Sequence, residues 1–136
     1  MDLYLATDLK SGQVVHGKSG MRDYYVPVTS LHADTTEPIR FIEQMKPRFL
    51  YIADLDRICG TGDHDTLIPE LAERTERILL DRGCKGPYDM LDIFGVSMIV
   101  GTETAADTLA QFTKGVLSVD IKNDLVIPWN TDPVTF

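Results

Sequence analysis

Leu117-Ser118-Val119-Asp120-Ile121-Lys122 reads as a second copy of Leu5-Ala6-Thr7-Asp8-Leu9-Lys10. Leucine, aspartate and lysine coincide, and Ile121 stands for Leu9. At the same offset Val126-Ile127 falls on Val14-Val15. The displacement is 112 residues, from Asp8 to Asp120. Each copy is a short apolar run ending in an acid, which suits a strand buried on both faces of a parallel sheet. A strand that recurs after a fixed interval marks a structural unit that begins again. The expected division is a first half over residues 1–114 and the start of a second over 115–136, within one domain spanning 1–136.

Between the two copies the chain alternates. Beyond Leu3–Leu9, strands are expected at Arg48–Leu55, Ile78–Leu80, Val96–Gly101 and Gly115–Ile121. Helical spacing of apolar residues fills the gaps at Thr36–Gln44, Asp65–Arg77, Pro87–Phe94 and Thr104–Phe112. A strand-helix alternation of this kind predicts right-handed βαβ units. Lys122-Asn123-Asp124 then reads as the turn of a β-hairpin into Leu125–Trp129, and Thr131-Asp132-Pro133 as a helix start. Two four-unit halves would make a barrel of about 250 residues. The expected fold class is therefore α/β, a partial (βα)8 TIM-type barrel of about four βα units, a fifth strand and a hairpin.

Composition agrees with a core-forming domain. Of 136 residues, 43% are hydrophobic and 25% charged, which excludes disorder and fibrous classes. Thirteen basic against 21 acidic residues give a net charge of -8, which argues against nucleic acid or an anionic membrane as partner. Cys59 and Cys84 are too few for a disulfide scaffold and fit a reducing, cytoplasmic setting. No apolar run approaches the roughly 18 residues of a spanning helix.

Asp8 and Asp120 are the leading chemical candidates. Both end strands whose carboxyl ends are where βα folds bind ligands. Two carboxylates in one pocket can divide the roles of acid and base, which suits proton movement at adjacent sugar carbons. Their alternative is a turn cap, or a pairing with Lys10 or Lys122. Gly101-Thr102, between the fourth strand and a helix, offers backbone N–H groups for a phosphate, with Glu103 opposing an anion there. Arg82 and Lys85 follow the third strand and could reach the same anion, or form an exposed basic turn. The loop His16–Val28 carries Lys18, Arg22, Tyr24 and Tyr25, suited to closing over a phosphorylated small molecule, or to a plain surface excursion. Trp129 is a stacking platform for a planar ring, or hairpin packing. Asp54, Asp56, Asp63, His64 and Asp65 form an acidic stretch that matches no calcium-loop spacing, and His64-Asp65 also reads as a helix entry. No metal and no cofactor are expected.

ATDLKSGQVV at 6–15, Gly20 and Tyr24 in the following loop, YIADLD at 51–56, VGTET at 100–104 and LSVDIKNDLVIPW at 117–129 together carry a resemblance. The chain resembles the phosphoribosylformimino-aminoimidazole carboxamide ribotide isomerase of histidine biosynthesis and its cyclase relatives, and within that group an archaeal-type relative of the isomerase. The resemblance implies a (βα)8 barrel with duplicated halves. It implies that Asp8 and Asp120 perform an Amadori-type aldose-ketose rearrangement, that Trp129 stacks on substrate, and that Gly101 and Thr102 hold a phosphate. Three departures stand out: Asp81-Arg82-Gly83-Cys84 replaces a glycine-rich phosphate loop, Tyr51 stands where a histidine is usual, and strands six to eight are absent.

Two functional classes follow. One is a sugar-phosphate isomerase active once the barrel is completed, by a second copy or by a complementary half-barrel chain. The other is a non-catalytic phosphate-binding or assembly half-barrel. A fragment of a longer barrel enzyme is the third reading of the same sequence.

Overall fold

The computed structural model describes residues 1–16, 26–27 and 32–136. In chain order the elements are β1 (Tyr4–Lys10), β2 (Gln13–His16), β3 (Val26–Pro27), α1 (Pro38–Met45), β4 (Phe49–Asp54), α2 (Leu55–Cys59), α3 (Ile68–Ala72), β5 (Arg77–Asp81), β6 (Val96–Gly101), α4 (Thr102–Ala105), β7 (Val116–Ser118), β8 (Ile121–Lys122) and β9 (Leu125–Val126). Seven strands form one sheet in the order β3-β2-β1-β4-β5-β6-β7, and β8 pairs β9 separately. The ladders from β1 through β4, β5 and β6 to β7 are all parallel, whereas β2 and β3 fold back antiparallel. The protein is thus a mixed α/β fold on a mostly parallel sheet whose central strands add in chain order.

The expected strands are present, with β7 shorter than Gly115–Ile121. The helices are shorter than their periodicity suggests. Helix α1 matches its expectation because its ends are well specified. The Glu37 carboxylate accepts the N–H groups of Ile39 and Arg40, and Lys46 ends the helix in a left-handed conformation before Pro47. The Asp65–Arg77 pattern yields only α3, because the chain must reach β5 by Arg77, and Glu76 N–H already bonds Arg48 C=O. Pro87–Phe94 contributes a single 3-10 turn at Pro87–Asp89. There Asp89 accepts Lys85 N–H at 2.8 Å and the Arg57 guanidinium at 2.7 Å, fixing a tight loop in place of a helix. Thr104–Phe112 divides into α4 and a 3-10 segment, Ala106–Gln111.

The repeat at 112 residues is visible in the backbone. Lys10 pairs Gln13 and Leu9 pairs Val14 around Ser11-Gly12; Lys122 pairs Leu125 and Ile121 pairs Val126 around Asn123-Asp124. Both central residues of each turn have positive φ, 52° and 75° in the first, 52° and 65° in the second. That is the type I′ signature, whose twist matches the flanking strands. The copies differ in one respect: β1 runs unbroken, while its counterpart is divided into β7 and β8 at Val119-Asp120.

One face of the parallel sheet carries the core. Leu9, Leu50, Ile52, Ile78, Leu80 and Met98 pack with Phe41 and Ile42 of α1 and Ile68 and Leu71 of α3, all buried. Alternation sends Tyr4, Ala6 and Asp8, then Phe49, Tyr51 and Ala53, then Arg77, Leu79 and Asp81 to the opposite face. Tyr4 stacks on Phe49 at 5.2 Å, and the Arg48 guanidinium lies 4.9 Å from the same ring. Val116, Leu117, Val119 and Ile121 are exposed at the β7 end of the sheet. Among the described residues no helix is long and apolar enough to cross a membrane.

Candidate active site

Parallel strands present their carboxyl ends along one edge, and here that edge is acidic. Register places Asp8 opposite Ala53, and Ala53 opposite Asp81, all on the open face; one residue pair below, Ala6, Tyr51 and Leu79 form the next row. Tyr51, paired with Leu79, lies diagonal to Asp81 on the same face. Burial, followed by the charges of Asp81, Asp120 and Asp8, pushes the phenol up to about 12. Tyr51 is therefore a neutral hydroxyl at physiological pH. The charges of carboxylates on β1, on β5 and after β7 are thus all felt at the phenol.

Asp120 is held by the turn that leads into α4. Its carboxylate accepts Glu103 N–H at 2.9 Å, with the hydroxyls of Thr102 at 3.5 Å and Ser118 at 3.4 Å, and its own N–H donates to Thr102 Oγ1 at 2.9 Å. These bonds take the place of ladder bonds and explain the break between β7 and β8. Gly101 permits the approach, since a Cβ there would lie 2.9 Å from Asp120 Oδ2. The Gly101-Thr102 turn expected to seat a phosphate thus holds the protein's own carboxylate. Gly101→Ala is expected to dislodge Asp120 from Glu103 and to cost about 1.5–3 kcal/mol, one charge-assisted hydrogen bond, measured by urea denaturation.

Arg82, expected to reach a substrate anion, lies on the other face of β5 and is buried. Its guanidinium grips Asp65 through two bonds of 3.0 and 2.9 Å and donates to the Asp89 carbonyl. A side chain so committed is a brace between loops. Trp129 stacks on Phe136 at 5.7 Å, and its indole N–H donates to Asp107 at 3.3 Å. Lys18 and Arg22, with Gly20, Tyr24 and Tyr25, lie outside the described residues.

Beneath the acidic edge lies a cluster that the sequence reading treated as a helix entry. Asp54, at the end of β4 and 1% exposed, accepts Arg57 N–H at 3.2 Å, His64 N–H at 2.8 Å and the His64 ring at 2.7 Å. The other ring nitrogen, Nε2, accepts Gly12 N–H at 3.0 Å, which assigns the ring proton to Nδ1. Asp56 accepts Ser11 N–H at 2.9 Å beside it. The β1–β2 turn is thereby tied to the end of β4. Burial opposes the charge of Asp54, but the bonds from His64 and Arg57 outweigh it and hold its carboxyl below the usual range. The bond to Asp54 raises His64 above its ordinary value, against burial. An acid at a strand end with a histidine ten residues on, across Gly60 and Gly62, was the available signal.

Among the described residues no group of three or more His, Cys, Asp or Glu is arranged to hold a metal ion. Cys59 is exposed, Cys84 is buried, and both are free thiols.

No protein-family profile matches the chain. A relative does. An uncharacterized protein of Methanocaldococcus jannaschii is 34% identical over 143 aligned positions, which cover 98% of this chain and 62% of the relative. The chain spans less than two thirds of that protein's length.

Proposed function

We propose that this chain is the first half and the start of the second half of a (βα)8 barrel related to the histidine-biosynthesis isomerases, acting on a phosphorylated aminosugar. The observation that carries this reading is the position of Asp8 near the end of the first parallel strand and of Asp120 just after the fifth, both at the carboxyl edge of the sheet. The two hairpins, alike in register and turn type and 112 residues apart, support duplicated halves. The exposed apolar residues on and after β7 support completion by further strands, from a longer chain, a second copy or a complementary half.

In this reading one carboxyl group of the pair protonates the ring oxygen of the aminosugar and opens the ring. Ring opening is driven by the C1 nitrogen lone pair, which forms C1=N as the C1–O bond breaks. The other carboxyl group takes the proton from C2, and the C–H pair forms the C1–C2 double bond. The C1=N π pair returns to nitrogen, giving an enol-amine that tautomerises to the ketose. Two carboxyl groups hold the opposite protonation states that this needs when their surroundings push their pKa values apart.

The test is conversion of an aminoaldose phosphate to its ketose by the chain alone and by the chain mixed with a segment supplying the rest of the relative's length. Asp8→Asn and Asp120→Asn are each expected to lower turnover by about 10²–10⁴-fold, the usual share of a general acid or base. Absence of turnover in the unsubstituted protein under both conditions overturns the isomerase reading.

A further inference from the structure

The tip of the β1–β2 hairpin is held by two acceptors from another part of the chain. Ser11 N–H donates to Asp56 Oδ2 at 2.9 Å, and Gly12 N–H donates to His64 Nε2 at 3.0 Å. A ring nitrogen accepts only while it carries no proton, so the neutral His64 keeps its proton on Nδ1, 2.7 Å from the Asp54 carboxylate. A second proton, arriving at Nε2, sets N–H against N–H across that 3.0 Å gap. Asp56 Oδ2 lies 3.8 Å from Nε2 and is the acceptor that the new N–H meets. The same oxygen holds Ser11, so both bonds of the tip answer to one titration.

The surroundings let the ring accept that proton in place. Asp54 ends β4, Asp56 lies in α2 and Asp63 precedes His64; the bond to Asp54 raises the imidazole above 6.5 against burial, and all three charges add to it. The neighbouring guanidiniums are engaged with other acids, Arg57 with Asp89 and Arg82 with Asp65. Helix α3 follows, bonded to the His64 carbonyl through Leu67 N–H and Ile68 N–H, and its charged residue, Glu70, is exposed. Lys10 closes β1 beside the turn. Asp54 anchors the ring in either protonation state, whereas the tip is a two-residue turn closed by its own Lys10–Gln13 pair. The turn is therefore the part that gives way.

We propose that His64 is a proton-operated catch on the β1–β2 turn: neutral, it holds Gly12; protonated, it draws Asp56 to itself and releases the tip while the sheet stays in place. Asp8 lies three residues before Ser11, so the catch governs how firmly the carboxyl end of β1 is held. It is independent of the sugar chemistry proposed above.

Nitrogen-15 NMR of the intact chain, run across the histidine range, tests it. The ring nitrogens report which of them is protonated, and Gly12 amide exchange, corrected for its intrinsic pH dependence, reports the catch. Above the His64 transition, Nε2 is expected to be bare and Gly12 protected. Below it, Gly12 protection is expected to fall about fivefold or more, the factor set by one net hydrogen bond. Its midpoint should coincide with that of the ring, while Leu50 and Ile52 of β4 keep their protection. Asp56→Asn removes the charge that receives the new N–H, and is expected to move the ring and Gly12 midpoints together to lower pH. A shared midpoint that moves in this way supports the catch. Gly12 protection indifferent to the ring, a neutral ring protonated at Nε2, or Leu50 and Ile52 losing protection together with Gly12 overturns it.

Discussion

Asp54→Ala is expected to lower stability by about 3–5 kcal/mol, the range for stripping one partner from a buried charged network. The loss is large because one carboxylate serves three donors: Arg57 N–H, His64 N–H and the His64 ring. Alanine leaves all three without an acceptor in a site that excludes water. The damage should also spread to the β1–β2 turn, whose Gly12 N–H depends on the orientation that Asp54 gives His64. Urea denaturation across pH provides the check. The carboxyl of Asp54 is depressed, so its contribution is present above the ordinary value of 3.8 and fades as pH falls through the lower folded value. His64 is raised, so its contribution is full below 6.5 and fades as pH rises through the higher folded value. The gap between wild type and Asp54→Ala should therefore be widest between these two ordinary values. On protonation, Nε2 can no longer accept from Gly12; the nearest acceptor for its new proton is Asp56 Oδ2, 3.8 Å away. A gap that does not change with pH would remove His64 from the account.

Arg82→Ala carries the second large effect, about 2–4 kcal/mol, and it should appear in stability before ligand binding. The guanidinium is buried and makes the bidentate contact to Asp65 together with the bond to the Asp89 carbonyl. Asp65 keeps a third of its side chain exposed, so water recovers part of what it loses, and the cost falls somewhat below that of a fully buried pair. Arg82→Lys should rescue little, because an ammonium cannot reproduce the planar two-point contact. Thermal denaturation and sugar-phosphate binding measured on the same sample decide the matter. Unaltered stability with lost binding would return Arg82 to the substrate side.

The five parallel strands were legible because each is a short apolar run leading into an acid or a glycine, whereas β2 and β3 carry no such pattern and were not expected as strands. The two hairpins were legible in part. Asn123-Asp124 announced its turn, whereas Ser11-Gly12 was seen only as part of a repeat. The helices were overread. Leu67, Ile68 and Leu71 have helical spacing, and the core uses it for little more than one turn, because a five-residue helix covers β4 and β5 while loop side chains do the remaining fastening. Periodicity reports which residues face inward and says little about where a helix ends. Asp8 and Asp120 stand at the strand ends where the sequence places them. Asp81 occupies an equivalent strand-end position, on the opposite side of the chain from its neighbour Arg82. A side chain's face depends on strand parity, and a shift of one residue reverses it. The Asp54–His64–Gly12 tie joins residues 52 apart and could not be read from local pattern at all.

The order in which the strands are added gives the sheet a direction. Each strand from β2 through β6, except β3, is flanked on both sides, whereas β7 has a neighbour only at β6. Proteins open first where protecting contacts are fewest. Asp8 is therefore mounted on a strand clasped between β2 and β4 and pinned at its turn, while Asp120 follows the outermost strand and relies on its bonds to Thr102 and Glu103. Opening at the β7 edge would therefore displace Asp120 while Asp8 stays in place. Chemistry that needs both carboxylates would then be lost on warming before the centre of the sheet opens, and activity and global unfolding, followed on one sample, would part in that order.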